Sequence, residues 1–291
     1  MTRFLPVLII AATTVLALGG CTTPTSESTS VPGGADPGVE HVHGLGVDPA
    51  DGVLYAATHY GLFRLPEQGD PVRVADRYQD TMGFTVTGPN TFLGSGHPDF
   101  VADPDFPTRL GLIRSDDAGE SWEIVSLGGA ADFHALHSAH GLVYGWDSGT
   151  GRFMVSADDG ASWDVRSTLD MFDFAVSPTD ADLLLATTTT QGLVRSIDGG
   201  RTWQPISNAP AVAVLSWAGE DSVFGVTTEG MVQQSADGGA TWETRGDVGG
   251  QPEALLVDES GGELMLYVGV SGRGILASAD GGKRFTTRYA D

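Results

Sequence analysis

Short apolar runs alternate with polar, glycine-rich segments along most of the chain. Runs such as Gly111–Arg114 and Gly192–Arg195 contain adjacent apolar side chains between turn-forming residues, a pattern typical of buried β-strands. Five such runs lead into a polar motif, S-x-D-x-G-x-x-[W/F], whose copies start at Ser115, Ser156, Ser196, Ser235 and Ser278. The copies recur every 39 to 43 residues, and a period of about 40 residues with strands in between predicts a β-propeller.

A sixth, degenerate repeat precedes these five. Gly61–Arg64 matches the strand that leads into the motif, but Leu65–Gly69 replaces the motif itself. The other strands of this repeat are predicted at Val42–Val47, Val53–Thr58 and Val72–Ala75. Six repeats of four strands predict an all-β, six-bladed propeller over residues 38–291. Because the last repeat has its own fourth strand at Phe285–Tyr289, the repeats alone leave the mode of ring closure open.

The side chains of the motif suit a tight turn. Ser and Asp hydrogen-bond nearby backbone N–H groups, the Gly permits a positive φ, and the closing aromatic ring can pack between blades. The motif resembles the Asp-box, or BNR repeat, of the sialidase-like superfamily. That resemblance implies that the motif occupies the hairpin between the third and fourth strands, away from the functional face. It also implies structural roles for Asp117, Asp158, Asp198, Asp237 and Asp280.

The first twenty residues read as a secretory signal. A short basic start is followed by the apolar run Phe4–Leu18 and then by Leu-Gly-Gly-Cys, and the apolar run is too short for a spanning helix. The Leu-Gly-Gly-Cys stretch resembles a bacterial lipobox, which implies that Cys21 is lipidated. Residues 21–37 are then a lipidated cysteine and a flexible linker rich in Thr, Ser, Pro and Gly. We expect a lipid-anchored protein on the extracytoplasmic face of the cell membrane.

Charge and cysteine content narrow the chemistry. The chain has 15 Lys and Arg residues against 38 Asp and Glu residues, a formal net charge of −23, which disfavours nucleic-acid binding. Cys21 is the sole cysteine, so the propeller has no disulfide, no thiolate nucleophile and no cysteine metal ligand. A metal site must therefore use histidine, carboxylate, methionine or backbone oxygen.

All seven histidines fall between residues 41 and 140. Aligning the repeats places His43 and His134 at equivalent positions on first strands, which line the central channel, with Met82 near the same level. His41, His59 and His97 fall beside them on one face, whereas His140 falls on the opposite face. Imidazole ligands suit zinc or copper, and Met82 favours copper. The alternatives are hydrogen-bonded histidines around the channel mouth, or a ligand pocket without a metal.

No pair of carboxylates stands out as catalytic. Asp132, Asp147 and Asp99 are weak candidates by their position in the repeats, and a glycoside hydrolase would need two such groups on the functional face. Phe63–Pro66 looks like the sialidase F/Y-R-I-P motif. However, Arg64 aligns with the third-strand residues Arg114 and Arg195, far from the channel. The catalytic residues therefore stay unknown.

Four segments carry a wider resemblance: His41–Asp48, Ala57–Phe63, Gly94–Asp99 and Asp132–Leu136. They are similar to a group of bacterial propeller lipoproteins labelled glycosyl hydrolases and, more weakly, to photosystem II assembly-factor propellers, which are binding proteins. The leading hypothesis is a monomer that binds a small ligand, metal ion or protein partner at a histidine-rich channel mouth. The alternative is a glycoside hydrolase acting on extracellular glycans.

Overall fold

The structure, a computed structural model, describes residues 36–290 and is an all-β, six-bladed propeller, which confirms the predicted fold class. Six four-stranded antiparallel sheets form the blades, and each blade consists of four strands that are consecutive in the chain. No α-helix occurs between residues 36 and 290, and this part of the chain therefore holds no helix that could span a membrane. The predicted signal, Cys21 and nearly all of the linker lie outside the described residues.

Blades 1 to 3 cover the histidine-containing half of the ring. Their strands are β1 Val42–Val47, β2 Leu54–Thr58, β3 Gly61–Leu65, β4 Val72–Arg73, β5 Asp80–Gly88, β6 Thr91–His97, β7 Leu112–Ser115, β8 Glu123–Ser126, β9 Phe133–Ala139, β10 Leu142–Asp147, β11 Arg152–Ser156 and β12 Asp164–Thr168. In each blade the first strand lines the channel and the fourth lies outermost.

Blades 4 to 6 repeat the same order. Their strands are β13 Met171–Val176, β14 Leu184–Thr188, β15 Gly192–Ser196, β16 Gln204–Pro205, β17 Val212–Ala218, β18 Ser222–Thr227, β19 Met231–Ser235, β20 Glu243–Asp247, β21 Pro252–Asp258, β22 Met265–Val270, β23 Gly274–Ser278 and β24 Thr286–Tyr289.

One predicted strand is shorter than expected. The fourth strand of blade 1 ends at Arg73, and Val74–Asp76 forms a 3-10 turn. Ala75 has a φ of 55°, in the left-handed region, which cannot continue a β-strand. The turn instead leads the chain towards blade 2.

The core is divided among the blade interfaces. Six apolar clusters lie between neighbouring blades, one for each interface of the ring. The cluster between blades 3 and 4, for example, joins Tyr144 and Phe153 to Phe174, all fully buried. Burial of apolar side chains from both neighbours is the main stabilising contribution at each interface.

The five repeated motifs each form the same type of turn, and all five share a Ser-to-Asp hydrogen bond and a bond from the Gly N–H to the Ser hydroxyl. In the turn after β15, Ser196 Oγ donates to Asp198 Oδ1 (2.8 Å) and accepts from Gly200 N (2.8 Å). Asp198 also accepts from Thr202 N (2.9 Å) and Thr202 Oγ1 (2.6 Å), and these donors hold its pKa at about 2. The Trp203 ring packs edge-on against Phe153 of the preceding blade, at 5.5 Å between ring centroids. The turn thus links adjacent blades.

The ring closes without exchange of a strand, because blade 6 is complete in itself. Arg288 Nη2 on β24 donates to the carbonyl oxygens of Leu65 (2.8 Å) and Pro66 (2.7 Å) in blade 1. Near the channel, Val42 N donates to Glu253 Oε2 (3.0 Å). An apolar cluster between blades 6 and 1 fills the space between these contacts. Closure is therefore entirely non-covalent among the described residues.

Candidate functional site

Each blade carries a β-bulge at the same place near the start of its first strand. One residue there is passed over in the pairing with the second strand, and a bulge of this kind re-aims a side chain. The six bulge residues are His43, Met82, His134, Phe172, Ala213 and Glu253. All six line a central cavity of about 400 Å³. The structure thus places His43 and His134 at equivalent channel positions, with Met82 at the same level between them, as the repeats predicted.

Three side chains at the blade 1–blade 2 interface converge on one point. His43 is the bulge residue of β1, His59 follows β2, and Asp80 begins β5. His59 Nδ1 lies 2.8 Å from Asp80 Oδ1, and His43 Nε2 lies 3.2 Å from His59 Nδ1 and 3.6 Å from Asp80 Oδ1. These ligand atoms all lie within 4.8 Å of one another, so the group could hold a metal ion. We call it the first site.

The two imidazoles of the first site have pKa values that are shifted in opposite directions. Burial, together with the neighbouring imidazole of His59, lowers the pKa of His43 to about 4, although the Asp80 carboxylate opposes this shift. The hydrogen bond to Asp80 raises the pKa of His59, and partial burial opposes it. His43 is therefore neutral and ready to ligate a metal near pH 7, whereas a metal ion must displace the proton of His59.

His41 lies at the edge of the first site. Its ring centroid is 5.2 Å from that of His59, and its Nδ1 is 3.6 Å from Glu253 Oε1. The side chain is 61% exposed, and its φ is 52°, an uncommon conformation for a residue other than glycine. His41 thus neighbours the three converging ligands but is not one of them.

A second group lies at the blade 2–blade 3 interface. His134 Nε2 is 3.2 Å and His97 Nε2 is 3.7 Å from the same oxygen, Asp132 Oδ2. The Asp132 side chain is only 10% exposed. Burial raises the pKa of Asp132, but the hydrogen bond and charge of His134, with His97 and Arg109, outweigh this and lower it overall. The five histidines predicted to share one face therefore form two groups in adjacent interfaces.

The other two candidate carboxylates are engaged in loop structure. Asp147 accepts hydrogen bonds from Asp132 N, Gly149 N and Thr150 Oγ1. Asp99 accepts from Tyr78 N (2.9 Å), Val101 N (2.9 Å) and Ala102 N (3.1 Å) at the start of the 98–109 insertion. Burial favours a raised pKa for Asp99, but these N–H donors lower it overall. Both carboxylates stabilise turns beside the histidines.

The other histidines, and the arginine of the sialidase-like motif, lie away from the channel mouth that holds the two histidine groups. His140 sits in the turn after β9, with Nε2 2.7 Å from Ser177 O, at the opposite end of the channel. Arg64 on β3 pairs with Asp51 at 2.8 Å, which agrees with its predicted repeat position. Deeper in the channel, burial lowers the pKa of His137 to about 4 and raises that of Asp173 to about 7.

Asp80 is the site residue that the sequence reasoning missed. It was available in the repeats, because Asp80 precedes the bulge residue Met82 by two positions, as Asp132 precedes His134. The sequence did not predict the β-bulge two residues after each aspartate, and this bulge sets how far the aspartate lies from the preceding blade.

Comparison with known proteins establishes the fold alone. No family model matches the chain, and no curated protein matches it. Among solved structures, it is similar to a GH74 xyloglucanase from Xanthomonas campestris, with a TM-score of 0.54 and 17% identity over 86% of this chain and 45% of the enzyme. The chain thus spans less than half the length of that enzyme.

Two further structures are matched over most of their own length. A gluconolactonase from Xanthomonas campestris has a TM-score of 0.64, with 13% identity over 80% of this chain and 84% of the enzyme. YCF48, solved with a bound D1 peptide, has a TM-score of 0.53, with 13% identity over 86% of this chain and 82% of its own. Enzymes and a peptide-binding protein therefore share this architecture, so function must be argued from the site.

Proposed function

We propose that the protein binds a transition-metal ion at the first site, at the mouth of its channel. The observation that carries the proposal is the convergence of His43 Nε2, His59 Nδ1 and Asp80 Oδ1 within 4.8 Å. Ligand atoms bound to one zinc or copper ion at about 2.1 Å stand about 3.4 Å apart in tetrahedral geometry. The observed separations of 2.8, 3.2 and 3.6 Å bracket that value.

The ligand set is matched to zinc or copper. Two imidazoles and one carboxylate suit these ions, whereas calcium and magnesium prefer oxygen ligands alone. Three protein ligands leave a coordination position open, and the site faces a cavity of about 400 Å³. Met82, the next bulge residue around the channel, has a thioether sulfur, which favours copper. A small ligand, glycan or protein partner would meet the ion at this opening.

The setting of the site is also part of the proposal. We propose that residues 1–20 direct export and that a lipid on Cys21 holds a monomeric propeller outside the cell membrane. The repeated turns are proposed to be Asp-boxes of the sialidase-like superfamily, supported by their shared Ser, Asp and Gly hydrogen bonds. These turns occupy the face opposite the first site.

Hydrolysis of extracellular glycans is the alternative function. The propeller resembles a GH74 xyloglucanase in fold, and Asp132 lies at the mouth. However, Asp99 and Asp147 each accept three hydrogen bonds, two from their own loop and one from the backbone of a neighbouring segment. A hydrolase of this type needs two carboxyl groups free to act on the sugar. Metal binding is therefore the better-supported function.

The test is metal content of the purified full chain. We would load the untagged protein with Zn²⁺ or Cu²⁺, remove free metal, and measure bound ions by elemental analysis. The His43→Ala/His59→Ala variant is expected to bind one ion fewer per chain than the wild type. His140→Ala, on the opposite face, is the matched control and should bind as the wild type does. Equal metal content in the wild type and the double variant would overturn the proposal.

A further inference from the structure

The two histidine groups occupy neighbouring blade interfaces, so one is shifted from the other by one blade around the propeller. In the first site the ligands are a bulge residue, the residue that follows the second-strand partner of the residue before the bulge, and the residue two before the next bulge. The same three positions one blade further on are Met82, His97 and Asp132. His134, the next bulge residue, adds a second imidazole beside Asp132. The scaffold thus presents a comparable ligand set twice.

The hydrogen bonds of His97 orient it as a ligand. Its Nδ1 lies 2.6 Å from the carbonyl oxygen of Thr108. A carbonyl can only accept, so Nδ1 carries the proton, and in the neutral ring Nε2 carries a lone pair. Nε2, the nitrogen left to bind a metal, lies 3.7 Å from Asp132 Oδ2. Metal-ligating histidines commonly donate their other ring N–H to a carbonyl in this way.

Asp132 provides an independent indication of a cation. Its Oδ1 is buried and has no hydrogen-bond partner among residues 36–290, while Oδ2 has only the two histidines near it. A buried carboxylate oxygen left without a donor is costly. A metal ion coordinated by both oxygens of the Asp132 carboxylate would satisfy Oδ1 while it bonds the histidines beside Oδ2.

From these contacts we infer a second transition-metal site formed by His97, Asp132 and His134, separate from the first site. Asp132 Oδ2 lies 3.2 Å from His134 Nε2 and 3.7 Å from His97 Nε2, and each of these two separations suits a pair of ligand atoms bonded at about 2.1 Å to one ion. The two rings are about one-third exposed, so the His134 ring has room to turn towards an ion held by Asp132 and His97. This inference does not require the first site to be occupied.

The experiment is a metal titration of the full chain with matched variants of the two sites. Zn²⁺ binding would be followed by calorimetry and bound metal by elemental analysis, using His59→Ala for the first site and His97→Ala for the second. Two ions per wild-type chain are expected, falling to one in each variant and to none in the double variant. Co²⁺ would serve as a visible-absorption probe, with each variant expected to lose about half of the signal.

Different outcomes separate the two proposals. One ion per wild-type chain, lost in His59→Ala and retained in His97→Ala, overturns the second site and leaves the first intact. One ion lost only in His97→Ala does the reverse, and no bound ion overturns both. Asp80→Asn and Asp132→Asn are the back-up pair should an alanine variant lose its native circular dichroism spectrum, since they replace a ligand oxygen and keep the side-chain shape.

Discussion

At the scale of single residues, the pair His43 and His59 shows how position sets proton affinity. Their rings lie 4.6 Å apart between centroids, yet their pKa values shift in opposite directions. Burial is the largest influence on His43 and lowers its pKa, while a direct hydrogen bond to Asp80 raises that of His59. Two adjacent imidazoles therefore differ in proton affinity because their immediate surroundings differ.

The depressed pKa of His43 predicts acid sensitivity. The folded protein holds His43 neutral down to about pH 4, whereas the unfolded chain takes up a proton near pH 6.5. This stabilising contribution is present above pH 6.5 and is lost as the pH falls towards 4. We expect His43→Gln to reduce the loss of unfolding free energy between pH 7 and pH 4.5, by up to about 2 kcal/mol.

Urea unfolding across that pH range, without metal, measures the effect. His140→Gln should follow the wild-type pH dependence, since it lies at the other end of the channel. The raised pKa of His59 acts in the opposite sense, because its stabilising charge is present below pH 6.5 and is lost as the pH rises through the folded value. An unchanged pH dependence in His43→Gln would show that His43 is solvated like a surface histidine.

At the scale of elements, the repeated turn depends on a glycine that touches the preceding blade. Gly200 has a φ of 86°, and a Cβ built there would overlap the Phe153 ring. Equivalent glycines such as Gly160 and Gly239 meet leucines of the preceding blade in the same way. The residue therefore serves both the turn and the blade interface.

A matched pair of substitutions separates these two roles. Gly272 also has a positive φ, 65°, but no atom lies within 4 Å of its built Cβ. Gly272→Ala should cost about 1 kcal/mol of unfolding free energy, the strain of the left-handed conformation alone. Gly200→Ala should cost about 2 kcal/mol more, because Phe153 must also move. Equal costs in denaturant unfolding would mean that the interface adapts freely.

The strands were predicted better than the details of their pairing. β1 begins and ends where its apolar pattern predicts, and the repeat spacing identified all six blades. The bulges at His43 and His134 were not predicted, because a skipped residue depends on hydrogen bonds with the neighbouring strand. For the same reason, the sequence identified the face that holds His59 and His97 but missed Asp80, whose Oδ1 lies 2.8 Å from His59 Nδ1.

At the scale of the whole molecule, stability depends on closing the ring between blades 6 and 1. Two hydrogen bonds from Arg288 to blade 1, the bond from Val42 N to Glu253, and one apolar cluster perform this task. A channel lined by all six blades keeps its shape only while this interface holds. The first site lies in blades 1 and 2, so its geometry depends on closure.

Removal of the Arg288 contacts should weaken the closure. Arg288→Ala leaves the carbonyl oxygens of Leu65 and Pro66 without their donor, and we expect a loss of about 2 kcal/mol in unfolding free energy. Arg195→Ala, at an exposed position on β15, is the control and should change stability by less than about 0.5 kcal/mol. In Arg288→Ala, the backbone amides of β1 and β24 should exchange their hydrogens faster than those of β13. Equal exchange rates in all three strands would argue against a weakened interface between blades 6 and 1.

The bulge in every first strand has a consequence for engineering. The bulge is present both in blades that carry the histidines and in blades that do not. The same three backbone positions are therefore available at each blade interface. The positions of His43, His59 and Asp80 correspond, between blades 4 and 5, to Phe172, Thr189 and Ala211. Grafting His, His and Asp onto them should install an additional Zn²⁺ ion per chain, countable by calorimetry. If the grafted protein binds no additional Zn²⁺, the side chains around each bulge, and not the bulge itself, decide which blades can bind a metal ion.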